Sequence, residues 1–412
     1  MVLLKEIHTS PIISHWIWYR VGSRDEVPGR TGISHWTEHM QFKGTPRYPP
    51  RQPDRLISRQ GGVWNAFTYM DWTTYFETLP AHAFEIALSL EADRLANSLF
   101  RLKDVSSERT VIISERQGSE NEPLFLLGEE IRAAAFRVHP YHHEIIGDMA
   151  DLQTIQREDL YNHYRTYYQP NNAVLALAGD FSAELMFERI RREYEPIPAG
   201  PQPPRLNRPE PAQTGERRVT VEGPGETTFL ELSFHSPKAA DEDFFAYAVL
   251  DSLLTGPSNL NLFGGGISNK TSRLYRTLVE GELAVHVSGG IQATIDPFLY
   301  SINITVRPDR TAEESIVAAE QEIDQLQQSP PSIGELERAV KQARALFAYG
   351  SESITNQAYW LGFSAMFADY AWFTGYLDRL AAVTPLDVQR AAQVYLSPRN
   401  RVTGIYIPDG KG

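Results

Sequence analysis

The sequence predicts an α+β protein of two homologous domains, each a mainly antiparallel sheet with helices packed on one side. Three observations carry that expectation. Asp159, Tyr167, Pro170, Asn172 and Val174 recur as Asp387, Tyr395, Pro398, Asn400 and Val402, all 228 positions apart (387 − 159), which duplication of one domain explains most simply. Between the copies, Pro196 to Pro211 reads PIPAGPQPPRLNRPEP, a proline density that excludes helix interior and central strand and suits a semi-rigid linker. Within each half, strand-like and helical segments are segregated rather than strictly alternating, so a parallel α/β fold is not expected. The expected domains are 1–195 and 216–412, with the linker over 196–215.

In the first half, Ile13 to Val21 alternates as a strand, and Asn65 to Leu79 does so on both sides of a turn. Residues 81–98 and 104–118 carry apolar positions at helical spacing, with Asp104 or Ser106 as candidate cap of the second helix. In each copy a helix ends near the repeated tyrosine, proline stops it, and an apolar strand follows, Ala173 to Ala178 and Val402 to Ile407. The second half adds a strand at Thr227 to Phe234, helices around 241–254 and 311–328, and a largely helical stretch over 332–394.

At 412 residues the chain exceeds what one hydrophobic core usually organises, and its apolar and charged fractions, 42% and 22%, are those of a globular protein. A net charge of −13 argues against nucleic acid as partner, since phosphate recognition needs clustered Lys and Arg. With no cysteine, any metal must be held by His, Asp or Glu. No apolar run approaches the roughly 20 residues of a membrane span, and Met1 to Glu6 does not have the pattern of a signal peptide, so a cytoplasmic location is expected.

The segment Thr31 to Gly44, TGISHWTEHMQFKG, predicts a short helix closed by glycine. At about 100° per residue, His35 and His39 project from one face a turn apart, with Glu38 within roughly 60° of them. Neutral imidazoles suit Zn²⁺, and a carboxylate beside a metal-acidified water can take its proton, which is the composition of a hydrolytic centre. An HxxEH pattern arises by chance in such a chain only on the order of a per cent or two of the time. A catalytic zinc site wants a third protein ligand. Glu108 and Glu115 offer one, sharing a helix face about 10 Å apart, so that one can ligate while the other orients it or a histidine.

These residues, with Val21-Gly-Ser-Arg-Asp-Glu26, Phe42-Lys-Gly-Thr45, Gly61-Gly-Val-Trp-Asn-Ala-Phe-Thr68, Glu91-Ala-Asp-Arg94, His139-Pro-Tyr141, Pro170-Asn-Asn-Ala-Val174 and Ser272-Arg-Leu-Tyr-Arg276, make the chain resemble the pitrilysin/insulinase metallopeptidases over almost its whole length. The resemblance is to the small two-domain type that includes mitochondrial processing peptidase. It implies a zinc endopeptidase acting on extended peptides enclosed between domains. It assigns His35, His39 and Glu115 as metal ligands, the last at a spacing of 76 (115 − 39), Glu38 as general base and Glu108 as the partner that orients the site. It places Asn65 and Ala66 on an edge strand where substrate adds as a further β-strand. It also implies that the family's opening strand is present only in part.

Active relatives of this type carry an arginine and a tyrosine in the second domain that contact substrate. Here Val279 and Val285 occupy those places, and His286, one position along a strand, is expected to face the other way. With no HxxEH of its own, the second domain is expected to be non-catalytic. The resemblance therefore implies a homologous partner subunit, in a heterodimer whose other chain supplies the missing pair, or in a homodimer. The rival reading is a non-catalytic core subunit, yet such chains typically lose ligands and this one retains them. Two further motifs carry less. His139-Pro-Tyr-His-His-Glu144 crowds imidazoles, but proline breaks any helical spacing there. Gly264-Gly-Gly-Ile-Ser-Asn-Lys-Thr271 nearly spells a phosphate-binding loop, except that Asn269 replaces a glycine; the resemblance makes it a glycine-rich lip of the second domain.

Overall fold

The structure, a computed structural model, describes residues 1–261 and 265–410. It divides into two compact units. Met1–Gly118, His143–Arg208 and Ser351–Tyr370 form the first; Ser119–His142, Pro209–Gly350 and the chain from Ala371 onward form the second. Each contains one five-stranded sheet.

In the first unit, β1 (Val2–Glu6), β2 (Ile12–Tyr19), β3 (Val63–Thr68), β4 (Thr73–Pro80) and β5 (Ala173–Gly179) run in the order β1-β5-β2-β4-β3. In the second, β6 (Arg217–Gly223), β7 (Phe229–His235), β8 (Ala284–Gly290), β9 (Leu299–Val306) and β10 (Arg401–Pro408) run β6-β10-β7-β9-β8. The two orders are the same pattern, as duplication requires. Pairing is antiparallel except at one edge of each sheet, where β1 joins β5 and β6 joins β10 in parallel. The expected strands at β2, β3, β4, β5, β7 and β10 are all present within a few residues.

Period-two alternation shows why β2 sits centrally. Ile13, Ile17 and Tyr19 point into a core shared with Trp36, Met40, Ile57, Tyr75, Leu88 and Ile112. Trp16 and Trp18, of opposite parity, fill the other face, where Trp16 stacks on Phe76 at 4.4 Å between ring centroids. That second face is covered by a helix from late in the chain, Ile354–Phe367: Trp18 meets Tyr359 at 5.4 Å, and Gly362 lies directly against the Trp18 indole. In the second unit, Pro123–Ala135 covers the sheet correspondingly, with Ile131 and Leu127 against Gly404. Each sheet thus takes one cover helix from the half of the sequence that builds the other.

Four ionisable residues beneath the first sheet pair with one another. His15, on the apolar face of β2, meets Glu77 at 2.9 Å, and Arg94 joins Glu77 and Glu91, all buried. Burial would otherwise make isolated charges very costly there. One expectation is corrected: the helix thought to be capped by Asp104 or Ser106 begins at Leu102, so both lie inside it and Asp104 instead pairs with Arg101.

Candidate metal centre

The HxxEH segment forms α1 (Ile33–Met40), continued by a 3₁₀ turn over Gln41–Lys43 and ended by Gly44 at φ 89°. Ile33, Trp36 and Met40 face the core, which fixes His35, Glu38 and His39 on the opposite face. The helix start is held by carboxylates. Glu26, fully buried, accepts the backbone N–H groups of Gly32 and Ser34 through its two oxygens at 2.8 Å each, and Asp151 accepts from the backbone and hydroxyl of Thr31. Gly32 has φ 82°, and a Cβ there would come within 2.3 Å of the Ile146 carbonyl oxygen, so glycine is required.

The second helix of the site, α2 (Leu102–Ser119), buries Val105 and Ile112 and turns Glu108 and Glu115 toward α1. One ligand atom each from His35, His39 and Glu115 lies within 4.8 Å of the others. The two imidazole rings are 4.6 Å apart at 70°, and His39 Nε2 is 3.6 Å from Glu115 Oε2. Glu108 Oε1 meets His39 Nδ1 at 3.1 Å, so Nε2 is the nitrogen left facing the cluster, and Lys43 pairs with the same carboxylate. Of the residues expected from sequence, His35, His39, Glu115, Glu38 and Glu108 are therefore brought together.

The electrostatics follow from burial. Burial, with a contribution from neighbouring His39, pulls the His35 imidazole down to about 3. For His39 burial acts in the same direction, but Glu108, Glu115 and Glu38 outweigh it and raise the imidazole. Burial pushes the Glu38 carboxyl up to about 7 against the pull of the Thr68 hydroxyl, which donates to Glu38 Oε2 at 2.6 Å, and of His39. Burial would raise Glu108 as well, but hydrogen bonds from His39 and Lys43 hold it below the ordinary value.

Asn65 and Ala66 lie on β3, which among the described strands pairs only with β4 and so presents a free edge. Ala66 is buried against the core, Asn65 is exposed, and Asn65 Oδ1 accepts the Ala66 N–H. Thr68, at the end of the same strand, is the residue that touches Glu38. Sequence reasoning assigned no role to Thr68, Glu26, Lys43 or Asp151. The first three sit inside motifs that carried the family resemblance, but a role follows only from the three-dimensional contact.

In the second unit the expectation for His286 is corrected. A register shift between Ala284 and His286 makes a β-bulge, so Val285 and His286 are both exposed while Ala284 and Val287 are buried. Strict alternation fails because a bulge sets two residues against one. The crowded imidazoles have other partners: His139 Nε2 meets Asp296 at 3.1 Å, His142 Nδ1 meets the His139 carbonyl, and His143 Nδ1 meets the Glu144 carbonyl. In the glycine-rich segment Gly264 lies outside the described residues, and the Asn269 amide donates to the Val287 carbonyl. No described helix is long and apolar enough to cross a membrane.

Comparison with known proteins gives this arrangement a family context. Residues 1–149 match the model described as insulinase (peptidase family M16), and residues 154–343 match the one described as the peptidase M16 inactive domain. The chain is 31% identical over 245 residues to the zinc protease PqqE of Helicobacter pylori, covering 58% of this chain and 54% of that protein. It is 31% identical over 251 residues to a probable mitochondrial-processing peptidase subunit beta of Arabidopsis thaliana, covering 60% and 47%. It thus spans about half the length of each. An uncharacterized zinc protease of Streptomyces coelicolor is 26% identical across 93% of this chain and 82% of its own. Among solved structures, a protease from Helicobacter pylori superimposes with a TM-score of 0.90 at 26% identity, covering 98% of this chain and 96% of the other. Matched in both halves by models of one family, and in fold by its solved members, the chain belongs to the two-domain M16, or insulinase, peptidase family.

Proposed function

We propose that this chain is a zinc-dependent endopeptidase. The observation that carries the reading is the convergence of His35, His39 and Glu115 on one point beside a buried Glu38. The donor set fits zinc: two imidazoles and a carboxylate are three ligands of the right type, leaving one position for water or substrate. His35 Nδ1 is buried without a hydrogen-bond partner, while His39 is fixed in orientation by Glu108. Zinc bound there would acidify a water and polarise the scissile carbonyl.

The chain's own groups do the rest. Glu38, with a carboxyl near neutrality, takes the water's proton and returns it to the leaving amine, and the Thr68 hydroxyl holds the carboxylate in place. The free edge of β3, with Asn65 and Ala66, offers main-chain groups to an extended peptide next to Thr68 and hence to Glu38. In this reading the first half of the chain is catalytic and the second is not. Zinc analysis tests it directly: the wild-type chain should carry one zinc and His35→Ala none. Full zinc occupancy in His35→Ala would place the site elsewhere.

The reading extends to a partner. Val285 is 60% exposed on β8 and Val279 lies half-buried before it, so the second unit offers no arginine or tyrosine at these places. A homologous subunit that retains the pair would complete substrate binding, as the relation to a processing-peptidase beta subunit suggests. The bulge gives a homodimer its own argument, because it exposes His286 next to Val285.

A further inference from the structure

The duplicated fold shows, in one copy, what the matching place in the other is shaped to hold. In the first unit the turn after the repeated tyrosine ends in Asn172, whose amide donates to the Tyr167 and Arg20 carbonyls. In the second, Asn400 donates to the Tyr395 and His235 carbonyls in the same way. The strand registers agree, since Ala173 pairs with Tyr19 and Arg401 with Phe234, which makes Arg20 and His235 counterparts. In the first unit this place is filled by a guanidinium. Arg205 donates through Nη1 to the Arg20 carbonyl and through Nη2 to Asn172 Oδ1, each at 2.6 Å, and Asp25 Oδ1 lies 3.8 Å away.

In the second unit the matching place is a cavity of about 540 Å³. His235 and Asn400 line it, and Asp241, six residues beyond His235 as Asp25 is five beyond Arg20, supplies a carboxylate. Among the described residues Asp241 makes one ion pair, with Lys238 at a long 3.9 Å. The other two carboxylates there are engaged: Asp296 meets His139, and Glu210 accepts the backbone N–H groups of Arg137, Val138 and His139. Arg399 at the rim is the one cation among the lining residues besides the histidines. Volume and polarity are those of a small-ligand site.

We propose that this cavity binds the guanidinium of an arginine side chain presented by a peptide, with the His235 carbonyl, Asn400 Oδ1 and Asp241 playing the parts of the Arg20 carbonyl, Asn172 Oδ1 and Asp25. A planar fork of N–H donors fits one carbonyl, one amide oxygen and one carboxylate better than a compact ammonium does. None of these residues belongs to the proposed metal centre, so the inference stands apart from the peptidase reading.

Calorimetric titration of the full chain with N-acetyl-arginine amide, against the neutral isostere N-acetyl-citrulline amide, tests it. One equivalent of the arginine compound should bind, at least about tenfold tighter than citrulline, as loss of a charge-assisted contact implies. Val394→Trp, at an exposed lining position, and Asp241→Asn should each weaken binding about tenfold. Arg399→Ala should strengthen it. Arg205→Ala empties the first copy and should raise the stoichiometry to two. Equal affinity for citrulline, or binding unchanged in both Val394→Trp and Asp241→Asn, would overturn the proposal, as would a single equivalent in a folded Arg205→Ala chain.

Discussion

Replacing Gly362 by alanine should cost the first unit about 3 kcal/mol. The new methyl would lie 2.0 Å from Trp18 Nε1 and 2.3 Å from Cδ1, whereas ordinary contact begins at 3.4 Å, a shortfall of 1.4 Å (3.4 − 2.0). The indole cannot swing aside. It has no exposed surface, and Trp16, Trp72 and Tyr359 surround it at ring-centroid distances of 5.5, 4.9 and 5.4 Å. Helix Ile354–Phe367 must therefore lift off the sheet and lose packing along its length. Overpacking in a close-packed core costs typically 1–3 kcal/mol, and a site locked on both sides belongs at the upper end. For a unit of roughly 200 residues this lowers the melting midpoint by about 6–12 °C. Tryptophan fluorescence during urea unfolding reports it directly, because Trp16, Trp18, Trp72 and Trp360 all lie in or beside the affected layer. A variant within about 0.5 kcal/mol of wild type would show that this helix does not bear on Trp18 as described.

Four further outcomes are expected. Glu38→Gln should keep zinc and lose about 10²–10⁴ in turnover of a peptide library, since an amide cannot accept the proton; near-normal hydrolysis would refute the assigned role. Glu108→Gln should weaken zinc retention about 10–100-fold in a chelator competition, through His39. Asp251, buried and accepting from Ser258 and Thr255, has its carboxyl pushed up by burial to about 6 from 3.8, so the stability it allows below pH 4 is lost as pH rises through 6. That loss is about 3 kcal/mol, and unfolding curves of Asp251→Asn at pH 4 and pH 7 should lack this part of the pH dependence. Finally, mixing the chain with a homologous subunit that retains the arginine and tyrosine should raise cleavage on the order of 10²–10³-fold. Full activity alone, unchanged by any such partner, would favour the homodimer.

The grouping of side chains at the proposed metal centre was legible in the sequence because helical periodicity converts spacing into direction. His35, Glu38 and His39 share a face by angle alone, and Glu108 and Glu115 do so across nearly two turns. The repeat at 228 was legible for a related reason, since Tyr395-Pro398-Asn400 rebuilds the same amide-to-carbonyl turn as Tyr167-Pro170-Asn172. What stayed hidden depends on contacts between distant segments. Glu26 holds the start of α1 and Thr68 touches Glu38 only once β3 and the loop after β2 are folded against that helix. The parallel edge strands β1 and β6 pair with strands 173 and 185 residues along (175 − 2 and 402 − 217), a separation no local pattern reports. The bulge at Val285 broke an alternation argument that assumed regular pleating.

The assignment of Ser351–Tyr370 to the first unit also has a temporal side. During synthesis the first sheet has all its strands once β5 has emerged, but the face bearing Trp16 and Trp18 stays uncovered until the ribosome has passed residue 370. For that interval a broad aromatic surface is open to water, to chaperones and to other nascent chains. A chain that includes Ser351–Tyr370 is then the smallest product that can cover that face. A fragment ending at the proline-rich linker, though it contains every residue of the proposed metal centre, would expose that surface permanently and is expected to be poorly soluble.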